Sequence, residues 1–377
     1  MLLEPSKAKA KLKEVNKALN KNPVDVAALR KLCISPGGLI CSEARQKVWP
    51  HLLDVAESKI GYPQDLRRHK ECRQVILDVD RSGKRFPDGL SDVEKEELQE
   101  NLTDLILGVL TIHPELHYYQ GYHDICITFL LVCGAEASLA MVEKISTHHL
   151  RDFMDPTMDS TTHILNYLIP ILKMANPKLV EYMEKSEVGT IFALSWLITW
   201  YSYVVPDQRD IERLYDFFLS CHPLMPVYFA AQIVLDNADK ILDGPCEMAR
   251  IYQLLLQIAR KPNLPLEILI QRSSDFYIQF PPSSLAHDAA EFYKNNLAIS
   301  TFCDHALVAK HEAPDVVLKR MGLVEVKKEE NEESPTEGSW KRASKTVAIA
   351  LSGAVGAALL AVGGRAAEWV PQLFGYL

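Results

Sequence analysis

The sequence predicts an all-α fold, and three observations carry that prediction. Apolar residues recur at helical spacing through most of residues 6–279, no stretch alternates in the manner of a strand, and no internal repeat stands out. With 48% apolar and 24% charged residues, the 377-residue chain can bury a sizeable core in one large or two ordinary domains. Taken in order, residues 6–20 and 24–33 read as short helices, parted by Asn22-Pro23 and ended by Ser35-Pro36-Gly37-Gly38. A third helix opens near Ser42, a suitable N-cap, and carries Arg45 and Trp49 four apart, on one face, before Pro50. A helix over 65–80 leads into Arg81, and an amphipathic helix over 91–112 begins with Ser91 and Glu94 at capping-box spacing. The polar, aromatic run 113–124 follows, and then helices near 125–133, 136–150, 162–184, 188–203, 208–220, 224–242, 245–260 and 264–279. The aromatic residues of 188–203, Trp196 and Trp200 among them, suit a core.

Charge and cysteine usage exclude several classes. The net charge of -8 argues against general nucleic-acid binding, so the basic, helical first 35 residues read as a solvated surface. The eight cysteines form no C-x-x-C pair, which suggests neither a zinc site nor a disulfide framework and fits a reducing compartment.

The other end differs in kind. Beyond a helical extension over 291–323, residues 324–345 are charged and punctuated by Pro335 and Gly338, the composition of a flexible tether of about 25 Å reach. Residues 346–364 then carry no charge, and nineteen residues at about 1.5 Å each match a bilayer core. Lys341, Arg342 and Lys345 precede that run, so a transmembrane tail anchor is expected, with the bulk of the chain cytosolic and 365–377 lumenal. Its moderate hydrophobicity suits a thin membrane such as the endoplasmic reticulum, and Ser352 with Gly356 leaves self-association open.

Most conceivable sites can be declined. His113 and His117 are separated by Pro114 and lack the glutamate of H-E-x-x-H, and no nucleotide-binding glycine loop occurs. What remains is V-I-L-D-V-D-R over 75–81 and Y-Y-Q over 118–120. Asp78 and Arg81, three apart on a helix, make either a surface ion pair or an oriented cation. Gln120 offers an amide that is donor and acceptor at once. The two are poor acid–base catalysts, but they suit phosphoryl transfer to water, where developing charge must be neutralised and a water oriented. With no nucleotide site of its own, the chain would serve a phosphate held by a partner.

Here the sequence resembles a known family. Arg45-Gln-Lys-Val-Trp49 matches R-x-x-x-W, Val75 to Arg81 matches I-x-x-D-x-x-R with valine for isoleucine, and Tyr118-Tyr-Gln120 matches Y-x-Q with Gly121 following. These are the signatures of the TBC domain of Rab GTPase-activating proteins, and the resemblance spans about residues 36–290. Trp196 and the run containing Asp216 fit later parts of the pattern. The resemblance implies that Arg81 and Gln120 act in trans as arginine and glutamine fingers on a GTP-bound Rab of the early secretory pathway, at the endoplasmic reticulum or early Golgi. Asp78 and Tyr118 would support the fingers, and Arg45 and Trp49 would brace the helix behind them. GTP and Mg would belong to the partner, with no cofactor or metal held by the chain. Ser82-Gly-Lys-Arg85 intervenes before Phe86-Pro87, which makes Arg85 a rival finger, although the D-x-x-R spacing favours Arg81; Tyr122 and His123 also depart from the family pattern. The alternative is a non-catalytic, membrane-tethered adaptor that binds a GTPase or partner helix through the same groove.

Overall fold

A computed structural model describes residues 4–261 and 264–289, and among them every regular element is helical. The expected extension over 291–323, tether, membrane span and terminal tail lie outside the described residues. Among the described residues sixteen α-helices run in order: α1 Pro5–Leu19, α2 Val26–Ile34, α3 Ser42–Leu52, α4 Cys72–Arg81, α5 Asp92–Ile112, α6 Tyr122–Thr147, α7 Asp159–Asn166 and α8 Leu168–Ala175. They continue as α9 Pro177–Lys185, α10 Leu194–Ile198, α11 Gln208–Phe218, α12 Met225–Asp236, α13 Ala238–Leu242, α14 Met248–Ile258, α15 Leu266–Gln279 and α16 Pro282–Ala289.

The long helices α5 and α6 pack along each other, and α4 packs on both. The capping box predicted for α5 is present, with Ser91 accepting from the Glu94 amide and Glu94 accepting from the Ser91 amide. Gly134, at φ 77°, breaks the α6 ladder where the sequence suggested two helices. By length and hydropathy α6 could cross a bilayer, yet two-thirds of its apolar window is buried, as in a core helix. Trp49 of α3, Phe129 of α6 and Tyr215 of α11 stack in a cluster with ring centroids 5.4–6.0 Å apart, joining three helices distant in sequence.

Several boundaries differ from expectation. The 65–80 helix starts only at Cys72, because Asp65 is left-handed and His69 extended around a 3-10 turn at Leu66–Arg68. The 162–184 helix is three: Asn176 caps the Leu179 amide and Pro177 opens α9, while Tyr167 separates α7 from α8. The 188–203 region holds only a 3-10 turn and α10, since Trp200 and Tyr201 take positive φ. Ser42 is the first helical residue rather than the cap, and α3 runs through Pro50 to Leu52.

The basic N-terminal segment is not wholly a solvated surface. Lys7, Lys9, Lys13 and Lys17 are exposed. Arg30, however, is buried and donates to the carbonyls of Leu219 and Leu52, and Lys11 donates to those of Ser35 and Pro36. Arg30 thereby ties α2 to α3 and to the end of α11, and Lys11 ties α1 to the loop after α2.

Candidate functional site

α4 presents two faces. Val75, Asp78 and Val79 are buried, while Arg73, Ile76, Leu77 and Arg81 point outward. The α-helix ends at Arg81 and tightens into a 3-10 turn over Ser82–Arg85, with the Ser82 hydroxyl donating to the Asp78 carbonyl. Asp78 and Arg81 therefore share one helix, as their spacing required. The Asp78 side chain is 1% exposed and that of Arg81 65%, with the guanidinium 3.8 Å from Asp78 Oδ1. That separation holds an ion pair without a formed hydrogen bond, and Oδ1 accepts no other hydrogen bond among the described residues. Arg81 is aimed by a buried carboxylate but is not locked to it.

Arg85 is placed differently. Its guanidinium donates to the Ser202 carbonyl, the Thr128 hydroxyl and the Gln208 side-chain oxygen, at 2.5, 3.2 and 3.2 Å. All the reach of this side chain is spent on α6, α11 and the turn before α11.

The second polar segment is fixed residue by residue. His113 bridges Glu143 at 2.6 Å and Glu115 at 3.1 Å, the His117 amide donates to the Met154 carbonyl, and the buried Tyr119 donates to the Ile198 carbonyl. Gly121 then enters α6 at φ 106°, where an added Cβ would stand 2.9 Å from Thr199 Cγ2. Only glycine satisfies both the left-handed backbone and that close approach. Gln120, between the pinned Tyr119 and Gly121, is half-buried in the turn.

Tyr118 joins the two segments. Its hydroxyl donates to Asp78 Oδ2 at 2.9 Å and lies 3.0 Å from His123 Nδ1. Burial, and then the Asp78 charge, push the Tyr118 hydroxyl well above its ordinary range, so it stays a donor at every physiological pH. Asp78, Arg81 and Tyr118 are thus brought together, with Gln120 two residues further along. Arg45 and Trp49 lie elsewhere: both bind the fully buried Asp216 of α11, Arg45 through two bonds of 3.0 and 3.1 Å and Trp49 through one of 2.9 Å. The Leu39 amide also donates to Asp216, Glu212 takes the remaining Arg45 nitrogen, and a Cβ on Gly38 would collide with the Asp216 carboxylate. Spacing could not reveal Asp216 as their common partner, although a lone acid among Leu214, Tyr215, Phe217 and Phe218 is the signal that was there to read.

Among the described residues no group of three or more His, Cys, Asp or Glu is placed to hold a metal. The Rab-GTPase-TBC domain model matches residues 42–242, more than half of the chain. The chain belongs to that family. The TBC domain so defined contains both polar segments and Asp216. Full-length similarity is to TBC1 domain family member 20 of Homo sapiens, 50% identical over 373 residues that cover 97% of this chain and 92% of that protein. The GTPase-activating protein gyp10 of Schizosaccharomyces pombe is 35% identical over 223 residues, 58% of this chain and 59% of that protein. In fold, the chain is similar to the crystal structure of the Ypt/Rab-GAP domain of Gyp1p, with a TM-score of 0.59 at 14% identity over 71% of this chain and 98% of that one. Membership makes a Rab GTPase the partner of this TBC domain.

One titration bears on the segment that carries Gln120. The hydrogen bond to Glu143 raises the His113 pKa above 6.5, against the opposing effect of burial, and Glu115 adds to the rise. A raised histidine contributes stability in full below its unfolded value and loses it as pH rises through the folded value. The urea midpoint of the full-length chain should therefore fall between about pH 6 and pH 8 by more than that of His113→Gln. The buried His149, pushed down by desolvation, acts on the acid side and is common to both proteins.

Proposed function

We propose that this chain is a GTPase-activating protein that completes the active site of a GTP-bound Rab with Arg81 and Gln120. The observation that carries this reading is the polar bridge between the segments: an exposed Arg81 aimed by buried Asp78, which Tyr118 holds two residues before Gln120. The guanidinium would neutralise charge developing on the transferred phosphoryl group, and the Gln120 amide would orient the attacking water. Neither side chain needs to exchange a proton. GTP and Mg enter with the partner. The outward face of α4 supports docking there, since Ile76 and Leu77 are 38% and 43% exposed beside Arg67, Lys70 and Arg73, and Leu77 lies one turn before Arg81. Arg81 rather than Arg85 is the finger in this reading, because Arg85 is already committed to three partners inside the domain.

The test is single-turnover GTP hydrolysis across a set of purified Rab proteins with the full-length chain. Acceleration of at least one Rab is expected. Tight binding with no acceleration of any of them would leave the adaptor reading in its place.

The domain would work beside a membrane of the early secretory pathway, held by residues 346–364. The uncharged run and the basic residues before it support this. Deleting 346–364 should move the protein from the membrane pellet to the soluble fraction; retention on membranes would remove the anchor from the reading.

A further inference from the structure

Tyr118 and His123 flank Gln120 in sequence and meet in space, with the Tyr118 hydroxyl 3.0 Å from His123 Nδ1. This side-chain contact closes the backbone of Gln120, Gly121 and Tyr122 into a clasped turn, which the Tyr122 amide tightens by donating to the Tyr119 carbonyl at 3.2 Å. The direction of each bond follows from counting protons. A phenol has one proton to give, and a carboxylate has none. With Asp78 Oδ2 at 2.9 Å, the Tyr118 proton is directed at Asp78. The contact with His123 is then satisfied only if Nδ1 carries a proton and donates it to the Tyr118 oxygen. The far edge of the imidazole faces Asp124 Oδ2 at 3.8 Å, beyond hydrogen-bond length, so Nδ1 makes the ring's short polar contact. Donation runs in one sense, from His123 to Tyr118 to Asp78, and the free oxygen of Asp78 faces Arg81. Bonds in such a chain polarise one another, and the His123 side chain is only 12% exposed, so water competes little for it.

We infer that His123 is a positioning residue for both fingers: by donating from Nδ1 to Tyr118 it closes the turn that carries Gln120 onto the carboxylate that aims Arg81. This rests on the proposed finger reading and deepens it. The role requires no contact of His123 with the nucleotide or the attacking water. It acts through Tyr118, along a line of hydrogen bonds that links the two segments at their polar residues.

The experiment measures single-turnover GTP hydrolysis by a responsive Rab with the full-length chain, titrated to give a saturated rate and a half-saturating concentration. His123→Leu should lower the saturated rate by about ten- to a hundredfold, the scale expected for a displaced catalytic group, with half-saturation within about twofold. Tyr118→Phe should do the same. The double variant should be no worse than either alone, because both break one line. His123→Asn, whose amide nitrogen reaches about as far as Nδ1, should restore the rate to within about threefold of the parent. Multiplying losses in the double variant, a loss confined to half-saturation, or failure of asparagine to rescue would each overturn the inference. A full rate in His123→Leu with none in Arg81→Ala would overturn it alone and leave the fingers standing. A full rate in Arg81→Ala would overturn the finger reading and this inference with it.

Discussion

Arg81→Ala is expected to lower the single-turnover acceleration of Rab GTP hydrolysis by about 10³- to 10⁵-fold, or about 4 to 7 kcal/mol of transition-state stabilisation. The size follows from where the charge stands. Arg81 is largely exposed and only loosely paired, so moving it onto a phosphate breaks no hydrogen bond. Asp78, buried and held by Tyr118, keeps it aimed meanwhile. Far-ultraviolet circular dichroism should be unchanged, because the Arg81 side chain is largely exposed. Gln120→Ala should likewise remove most of the acceleration. Arg85→Ala should behave in the opposite way, lowering the urea midpoint by removing three internal bonds while the protein that remains folded still accelerates hydrolysis. Retained acceleration in Arg81→Ala with loss in Arg85→Ala would transfer the role to Arg85.

Asp216→Ala is expected to destabilise the domain by about 3–5 kcal/mol, measured as a fall in the urea midpoint, which is the scale of removing one partner from a buried ion pair. Four donors converge on this carboxylate: two from Arg45, the Trp49 indole and the Leu39 amide. Burial works against the Arg45 charge, but Asp216 and Glu212 together outweigh it and leave the guanidinium above its ordinary range. Without Asp216, Arg45 would keep Glu212 alone, and all four of these donors would be buried without an acceptor. An unchanged midpoint would show that water or a neighbouring acceptor takes over.

What could be read from the sequence divides by range. Short-range chemistry was legible: the Ser91–Glu94 box, the break near Gly134 and the pairing of Asp78 with Arg81 all depend on residues within four positions. The three helices within 162–184 were missed because apolar spacing continues through their breaks, although Asn176-Pro177 marked one of them. In the site, motif resemblance assigned Tyr118 and Asp78 to the same place, but the hydrogen bond between them, across 40 residues, was legible in neither motif nor periodicity. The partners of Arg45 and Arg85 lie up to 171 and 123 residues away, and nothing local encodes them. For that reason Arg85 stayed a rival until its guanidinium was found spent inside the fold.

The separation between Asp216 and Arg81 has a genetic consequence. Arg45 and Trp49, which make one of the motifs the chain shares with its family, serve the buried carboxylate, whereas the exposed arginine serves chemistry only in the proposed reading. An allele that loses Asp216 yields little folded product and should be recessive. If Arg81 is the finger, an allele that loses it should yield a folded protein that still occupies its Rab, shielding the active form from the intact copy, and should be dominant.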